Sequence, residues 1–230
     1  MFPFMNETLT MRWNIPNMLT ALRLFATPAL PVMFLYFHRP YADWFALILF
    51  LFAAITDWFD GYLARAWRQE TKIGEMLDPI ADKAMVIVAL MVIVGYSSMS
   101  PWLVLPATII ICREVFVSGL REFLGSKSKT LKVTSLAKWK TTVQMIAISF
   151  LFSQGIFEHY LIKASAGLGQ ELVDEILQGN LERLRGLRGM YLAMEWSGRL
   201  GHWVLWIAAA LTLISGLEYI RKALPHLKEG

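Results

Sequence analysis

Six apolar stretches, each close to the length of a bilayer-spanning helix, constrain this chain more than any other feature of its sequence. The hydrocarbon core of a bilayer is about 30 Å thick, which a helix of about 20 apolar residues crosses. Because lipid offers no hydrogen bonds to the backbone, runs of this length fit membrane helices. The sequence therefore predicts an all-α, polytopic membrane protein with six transmembrane helices. They cover residues 18–37, 42–63, 80–98, 102–121, 138–157 and 200–220.

The composition agrees with a membrane protein and argues against several other classes. Of the 230 residues, 56% are hydrophobic and 17% are charged, which is too apolar for an ordinary soluble domain. The single cysteine, Cys112, excludes an internal disulfide and a cysteine-based zinc site. The net charge of +4 is mild and indicates topology rather than a nucleic-acid partner. Without a linker or repeat, residues 1–230 are interpreted as a single domain.

The distribution of basic residues predicts the orientation in the membrane. The segment from Arg121 to Lys140 is strongly basic and holds one acid, Glu122, whereas the loop at 96–102 carries no charge. Cytoplasmic loops carry the excess of lysine and arginine, so both termini and the aspartate-rich loop are predicted to be cytoplasmic. The long loop at about 158–199 would then lie outside, with part of it helical along the membrane surface or as a solvated hairpin.

Four aspartates lie close together between the second and third apolar stretches. Asp57 and Asp60 are spaced i, i+3, and Asp78 and Asp82 are spaced i, i+4, so each pair faces one side of its own helix. A turn containing Gly74 is expected to bring the two helix ends together. Four converging carboxylates repel one another, and cations must neutralise them. Oxygen ligands in this number suit magnesium, manganese or calcium rather than zinc.

The neighbours of the first aspartate pair point to the ligand that such a metal site would bind. Gly61 and Ala64 keep the aspartate face of the second helix small, and Arg65 offers a guanidinium suited to phosphate. Together with metal ions, this pattern predicts a site for the diphosphate of a nucleotide. The alternative is a solvated polar loop in which the aspartates only cap helices.

The full spacing D-x2-D-G-x2-A-R-x8-G-x3-D-x3-D, residues 57–82, resembles the signature of the CDP-alcohol phosphotransferases at every fixed position. That resemblance implies a six-helix membrane enzyme that moves a substituted phosphate from a CDP-linked donor to an alcohol and releases CMP. It also implies two Mg²⁺ or Mn²⁺ ions, one held by Asp57, Asp60 and Asp78 and the other by Asp57, Asp78 and Asp82. Asp82 would be the general base.

The same resemblance assigns the donor site. Gly61, Ala64, Arg65 and Gly74 would bind CDP-diacylglycerol, with the two glycines making room for the nucleotide and Arg65 contacting its phosphates.

Further stretches are similar to one branch of that family, the CDP-diacylglycerol–glycerol-3-phosphate 3-phosphatidyltransferases. They are residues 14–28, 112–125 and 132–147. Ala137 departs from the glycine usual in that branch, and residues 164–190 resemble an extracytoplasmic insertion. The branch implies phosphatidylglycerol biosynthesis in the inner membrane of a bacterium, with the active site facing the cytoplasm and a homodimer expected.

Basic residues inside the fourth span and at the start of the fifth predict an anionic acceptor. Arg113 interrupts the fourth span, Arg121 follows on roughly the same face, and Lys138 and Lys140 open the fifth helix. Ionisable residues within a membrane span are functional candidates by default. The four are predicted to bind the phosphate of glycerol 3-phosphate, although the lysines also fit positive-inside topology alone. Glu114 is expected to neutralise and orient one of these cations.

Three alternatives remain open from the sequence. The same chemistry could use inositol phosphate or phosphatidylglycerol as acceptor, and only the resemblance favours glycerol 3-phosphate. A divalent-cation transporter is a remote alternative, because transporters place their carboxylates near the bilayer midplane. Arg23, inside the first span, either snorkels to the interface or contacts substrate.

Overall fold

The computed structural model describes residues 15–67, 72–125, 135–169, 175 and 185–228, and its regular structure is helical. The helices are α1 (Ile15–Tyr36), α2 (Tyr41–Trp67), α3 (Lys72–Tyr96), α4 (Pro101–Leu124), α5 (Ser135–Ser165) and α6 (Arg185–Lys228). Each of the six predicted spans falls on one of these helices, and the first and third run one and two residues past the ends of α1 and α3. The predicted all-α fold is confirmed for this part of the chain.

Two helix boundaries differ from the sequence prediction. The helix α3 begins at Lys72, eight residues before the predicted span, so Gly74 lies in its first turn and not in a connecting turn. The helix α6 is 44 residues long and starts at Arg185, inside the predicted outer loop. Hydropathy marks only the lipid-facing part of a helix, and both helices continue beyond the predicted spans through segments that mix charged and apolar residues. The segments 170–174 and 176–184 of the predicted insertion lie outside the described residues.

Four helices are long and apolar enough to cross a membrane by length and composition. They are Asn17–Tyr36, Pro101–Leu124, Trp139–Ser165 and Gly186–His226. The apolar part of α2 is shorter and covers Tyr41–Ala53. The helix α3 carries three charged residues, Asp78, Asp82 and Lys83, in its first half. Among the described residues the protein thus has four candidate membrane spans, two fewer than the sequence predicts.

The helices pack around one apolar core and expose further apolar side chains outward. The helix α1 packs against α2 and α3, while α6 packs against α4 and α5. Leu30, Phe50 and Leu205 are fully buried between them. By contrast, Phe25 and Phe123 are 76% and 78% exposed. Large apolar side chains on the outside of an all-helical bundle fit a lipid environment.

Two glycines let α5 and α6 approach closely. A Cβ atom on Gly201 would lie 2.8 Å from Cδ2 and 2.9 Å from Cγ of Leu151, and one on Gly198 would lie 2.8 Å from Cδ of Gln154. Small residues allow this kind of close backbone approach between membrane helices. The contact fixes α6 against the helix that carries Lys140.

Replacing Gly201 with alanine is expected to destabilise the bundle, because the new methyl group overlaps Leu151 next to the α5 backbone. Overpacking of this kind typically costs about 1–3 kcal/mol. Gly189→Ala is the matched control on the same helix, since its Cβ would meet nothing within 4 Å. Thermal unfolding in detergent should show a lower Tm for Gly201→Ala and an equal or higher Tm for Gly189→Ala. Equal gains in both variants would contradict the close contact.

Candidate functional site

The helix α3 places Asp78 and Asp82 one turn apart, and both contact α1. The hydroxyl of Thr20 donates a hydrogen bond to Oδ1 of Asp78. Arg23 Nη1 lies 2.5 Å from Oδ1 of Asp82 in an ion pair. The side chain of Arg23 is 2% exposed and that of Asp82 is 28% exposed. The carboxylate of Asp82 is thus paired with a buried guanidinium and is itself still partly exposed.

The ion pair explains why an arginine is tolerated inside the first span. A buried guanidinium is costly unless a nearby carboxylate neutralises it. The sequence left two alternatives for Arg23, snorkelling or substrate contact. The structure shows a buried side chain paired with Asp82 and not a snorkelling one, and substrate contact stays a prediction. Thr20 was not predicted from the sequence. The sequence did contain a signal for it. Thr20 and Arg23 are spaced i, i+3 and lie on one face of α1, just as the two aspartates, spaced i, i+4, lie on one face of α3.

Five other predicted donor and metal residues lie in the second half of α2, in a stretch where only the backbone can be described. Asp57, Asp60, Gly61, Ala64 and Arg65 all fall within the helix Tyr41–Trp67. Their side chains lie outside the described residues. No group of three or more histidine, cysteine, aspartate or glutamate residues that could hold a metal occurs in the part of the chain that is described. Convergence of all four carboxylates therefore stays a prediction.

The described half of the predicted metal site has suitable chemistry for a hard divalent cation. Asp78 and Asp82 offer carboxylate oxygens from adjacent turns of one helix, and oxygen donors are those that magnesium and manganese prefer. Gly74 lies one turn before Asp78 and is buried. The residues present thus fit such an ion, with Asp57 and Asp60 required to complete the ligand set.

A cavity of about 240 Å³ lies beside Asp82, between α3, α4 and α5. Arg113 and Arg121 reach it from α4, and Lys140 reaches it from α5. Three of the four predicted acceptor residues therefore line one space. The fourth, Lys138, lies in the first turn of α5, and its side chain is outside the described residues.

Glu114 organises two of these cations. Lys140 Nζ donates to Oε1 of Glu114, and Arg113 Nη1 lies 3.2 Å from the same oxygen. Arg113 Nη2 also donates to Ser215 Oγ on α6, at 3.1 Å. The predicted neutralising role of Glu114 is confirmed, and it extends to two cations rather than one. Because all three charged side chains are at most 10% exposed, the pairing is needed to hold them in the bundle.

Arg121 is held differently from the other cations of the cavity. Its guanidinium carbon lies 5.1 Å from the ring centroid of Tyr219 on α6, a cation–π contact. The side chain is exposed at the rim of the cavity. The ring of Tyr219 thus orients the guanidinium group of Arg121, whereas Glu114 orients Arg113 and Lys140.

Lys83 is a further cation of the cavity that was not predicted from the sequence. It follows Asp82 directly, and its Nζ donates to Ser118 Oγ at 2.7 Å. The Ser118 hydroxyl in turn donates to the backbone oxygen of Glu114 at 2.6 Å. The sequence signal was its position next to the last aspartate of the motif, but a lysine there also fits ordinary positive-inside topology.

The charge balance of the cavity favours an anion. Four cations line it, namely Lys83, Arg113, Arg121 and Lys140, against the two carboxylates of Asp82 and Glu114. The surplus of positive charge suits a phosphate monoester, which carries −1.5 to −2 near neutral pH. A carboxylate at the edge of the same space can accept a proton from a group bound there.

Comparison with known proteins gives one family. The family model of CDP-alcohol phosphatidyltransferases matches residues 13–214. A protein of Cereibacter sphaeroides named CDP-diacylglycerol–glycerol-3-phosphate 3-phosphatidyltransferase is 58% identical over 220 residues, which cover 95% of this chain and 99% of the relative. Proteins with the same name from Pectobacterium atrosepticum and Escherichia coli are 44% and 42% identical. These matches cover 60% and 61% of this chain and 76% and 78% of the relatives.

Proposed function

The chain belongs to the CDP-alcohol phosphatidyltransferase family, and we propose that it transfers the phosphatidyl group of CDP-diacylglycerol to sn-glycerol 3-phosphate. The products are phosphatidylglycerophosphate and CMP. The relative that is 58% identical over 95% of the chain bears the name of this activity. Within the structure, the observation that carries the proposal is the cationic cavity beside Asp82.

The cavity supports a phosphorylated acceptor over a neutral alcohol. Arg113, Arg121, Lys140 and Lys83 would bind the phosphate of glycerol 3-phosphate through charge-assisted hydrogen bonds, which are about twice as strong as neutral ones. Glu114 would keep two of these side chains oriented before the substrate arrives. The glycerol end would then point from the phosphate toward Asp82, at the edge of the cavity.

Asp82 is the candidate general base for the transfer. It would take the proton of the attacking glycerol hydroxyl as that oxygen forms a bond to the β-phosphorus of CDP-diacylglycerol. The bond between this phosphorus and the bridging oxygen of the diphosphate breaks, and CMP leaves with the electron pair. Arg23 would hold the Asp82 carboxylate in place through the observed ion pair.

Divalent cations are part of the proposal. Asp57, Asp60 and Asp78 would hold one Mg²⁺ or Mn²⁺ ion, and Asp57, Asp78 and Asp82 a second. Bound there, the ions would neutralise the diphosphate and the charge that develops on departing CMP. The donor would also contact Gly61, Ala64, Arg65 and Gly74 while its acyl chains stay in the bilayer.

Removal of divalent cations is expected to abolish activity, because the aspartate cluster cannot neutralise the diphosphate by itself. Exhaustive chelation of purified protein should stop CMP release from CDP-diacylglycerol. Added magnesium or manganese should restore it, since both prefer oxygen ligands. Full activity after chelation would contradict the metal assignment.

The proposed setting is the bacterial inner membrane, with six membrane-crossing helices and the active site on the cytoplasmic side. The basic segment between α4 and α5 and the uncharged turn between α3 and α4 support this orientation through the positive-inside rule. In this arrangement α2 and α3 complete the set of spans, with their aspartates at the cytoplasmic interface. The assembly is proposed to be a homodimer in a lipid bilayer, with no nucleic-acid partner.

An acceptor panel tests the proposed function directly. Purified protein with CDP-diacylglycerol and magnesium is given glycerol 3-phosphate, inositol phosphate, phosphatidylglycerol, glycerol or serine, and CMP release and the lipid product are measured. Glycerol 3-phosphate is expected to be the best acceptor by a wide margin. A higher rate with another alcohol would overturn the acceptor and leave the family chemistry in place. No CMP release with any acceptor would overturn the transferase assignment.

A further inference from the structure

The helix α6 lies behind the cavity beside Asp82 and does not form its wall. The cavity is lined by side chains of α3, α4 and α5, and none of the described residues of α6 is among them. The helix nevertheless packs against both α4 and α5, and some of its residues touch the side chains that do line the cavity. Residues of α6 can therefore act on a ligand in this cavity only through the side chains they hold.

The contacts of α6 with the cavity lie on one face of the helix. Ser215 Oγ accepts a hydrogen bond from Arg113 Nη2 at 3.1 Å, and the ring of Tyr219 faces the guanidinium of Arg121. Ser215 and Tyr219 are spaced i, i+4, so they are neighbours on the helix surface. One face of α6 thus contacts both arginines that α4 contributes to the cavity.

Ser215 is prepared to accept a hydrogen bond from an arginine. It is 4% exposed, and its hydroxyl donates to the backbone oxygen of Thr212 at 3.0 Å. Because the hydroxyl proton is used in this way, the oxygen meets Arg113 Nη2 with its lone pairs. The other terminal nitrogen of Arg113, Nη1, contacts Glu114. Each terminal nitrogen carries two N–H groups, so each has a second N–H beyond these contacts that can bind an anion.

Gly216 leaves room for the stem of the same arginine. A Cβ atom on Gly216 would lie 2.9 Å from Cγ and 3.2 Å from Nε of Arg113. These atoms belong to the middle of the side chain, so its free end could not simply turn aside to relieve the overlap. Arg113 Nε is buried and has no hydrogen-bond partner among the described residues. The course of this part of the side chain therefore depends on packing against Gly216.

We propose that Ser215 and Gly216 of α6 are positioning residues for the acceptor. They hold the Arg113 guanidinium in the orientation in which it binds the phosphate of glycerol 3-phosphate, and neither of them touches the substrate. The inference rests on the proposed function and deepens it, because it assigns part of the acceptor affinity to a helix outside the cavity wall. Both residues lie beyond residue 214, where the match to the family model ends.

Replacing Gly216 with alanine is expected to raise the apparent KM for glycerol 3-phosphate about tenfold, the lower end of what loss of a charge-assisted hydrogen bond costs. The new methyl group displaces the stem of Arg113, and the guanidinium at its end moves with it. The apparent KM for CDP-diacylglycerol and kcat at saturating acceptor should stay close to wild type. CMP release with each substrate varied in turn measures all three constants.

Replacing Ser215 with alanine tests the same role without adding atoms. Arg113 Nη2 loses its partner on α6 while the contact with Glu114 remains, so the apparent KM for glycerol 3-phosphate should rise by a smaller factor, about threefold. This variant introduces no overlap and stays informative if Gly216→Ala does not fold. Unchanged acceptor KM in folded Gly216→Ala, or in Ser215→Ala where the glycine variant does not fold, would overturn the proposal.

Two other glycines of α6 provide matched controls. A Cβ on Gly201 would overlap Leu151 of α5, whereas one on Gly189 would meet nothing within 4 Å. Gly201→Ala should lower Tm and leave the KM for glycerol 3-phosphate at the wild-type value, and Gly189→Ala should lower neither. A raised acceptor KM in Gly201→Ala would mean that any loosening of the bundle weakens the acceptor, which would contradict a specific role of Gly216.

A double-mutant cycle shows whether Gly216 acts through Arg113. In an Arg113→Gln background the guanidinium is gone, so Gly216→Ala should cause little further rise in the KM for glycerol 3-phosphate. An equal rise in both backgrounds would overturn the proposal. Failure of the proposed function gives a different result, since the wild-type protein would then release no CMP with glycerol 3-phosphate. Normal wild-type turnover with an unchanged acceptor KM in Gly216→Ala overturns only the positioning role.

Discussion

Replacing Asp82 with asparagine is expected to lower kcat on the order of 10²–10⁴-fold, the usual contribution of a positioned general base. The amide of asparagine has nearly the shape of the carboxylate but cannot take the proton of the attacking hydroxyl. It also makes a poorer ligand for a divalent cation, so the loss should lie toward the upper end of this range. Steady-state CMP release at saturating substrates measures the effect.

The same variant should remain folded, which separates a chemical role from a structural one. Asp82 is paired with the buried guanidinium of Arg23, and removing one partner of a buried pair is destabilising. The side-chain oxygen of asparagine still accepts the hydrogen bond from Arg23, and Asp82 is partly exposed, so the fall in Tm should be modest. Glu122→Gln, a carboxylate exposed on α4, is the control for loss of one negative charge. Near-normal turnover in a folded Asp82→Asn variant would exclude Asp82 as the base.

The sequence predicted the existence and order of the helices because lipid exposure leaves a strong signal in hydropathy. It did not predict where helices continue beyond the membrane. The start of α3 at Lys72 mixes charged and apolar residues, which weakens the hydropathy signal there. A helix within 158–199 was predicted, but its continuity with the last span in α6 was not. The close approach of α5 and α6 at Gly201 was not predicted either, because a glycine in a membrane helix has many possible causes.

The sequence predicted the aspartate pair that α3 carries, but it did not predict the contacts of this pair with α1. The spacing of Asp78 and Asp82 needs only the period of α3. The contacts of Thr20 and Arg23 with these aspartates depend on the packing of α1 against α3, which a single sequence does not specify. In the cavity, the meeting of Lys140 of α5 with Arg113 was predicted, whereas the contribution of Lys83 from α3 was not. Glu114 was predicted because a buried carboxylate next to an arginine has few other roles.

Replacing Arg113 with glutamine is expected to separate acceptor binding from donor binding. If Arg113 contacts the phosphate of glycerol 3-phosphate, the variant loses a charge-assisted hydrogen bond of about 1.5–3 kcal/mol. That loss corresponds to roughly a ten- to hundredfold higher apparent KM for glycerol 3-phosphate. The apparent KM for CDP-diacylglycerol should barely change, because the donor is assigned to the aspartates and Arg65.

Two further variants test whether the acceptor and the donor bind to separate sets of residues. Arg65→Gln should give the reverse pattern, with a raised KM for CDP-diacylglycerol and a nearly unchanged KM for glycerol 3-phosphate. Arg188→Gln removes an arginine that is exposed on α6 and should leave both constants at the wild-type values. Because Arg113 also contacts Glu114 and Ser215, its variant could lose stability, so Tm is measured alongside. If a folded Arg113→Gln variant binds CDP-diacylglycerol more weakly and glycerol 3-phosphate normally, the cavity beside Asp82 holds the donor and not the acceptor.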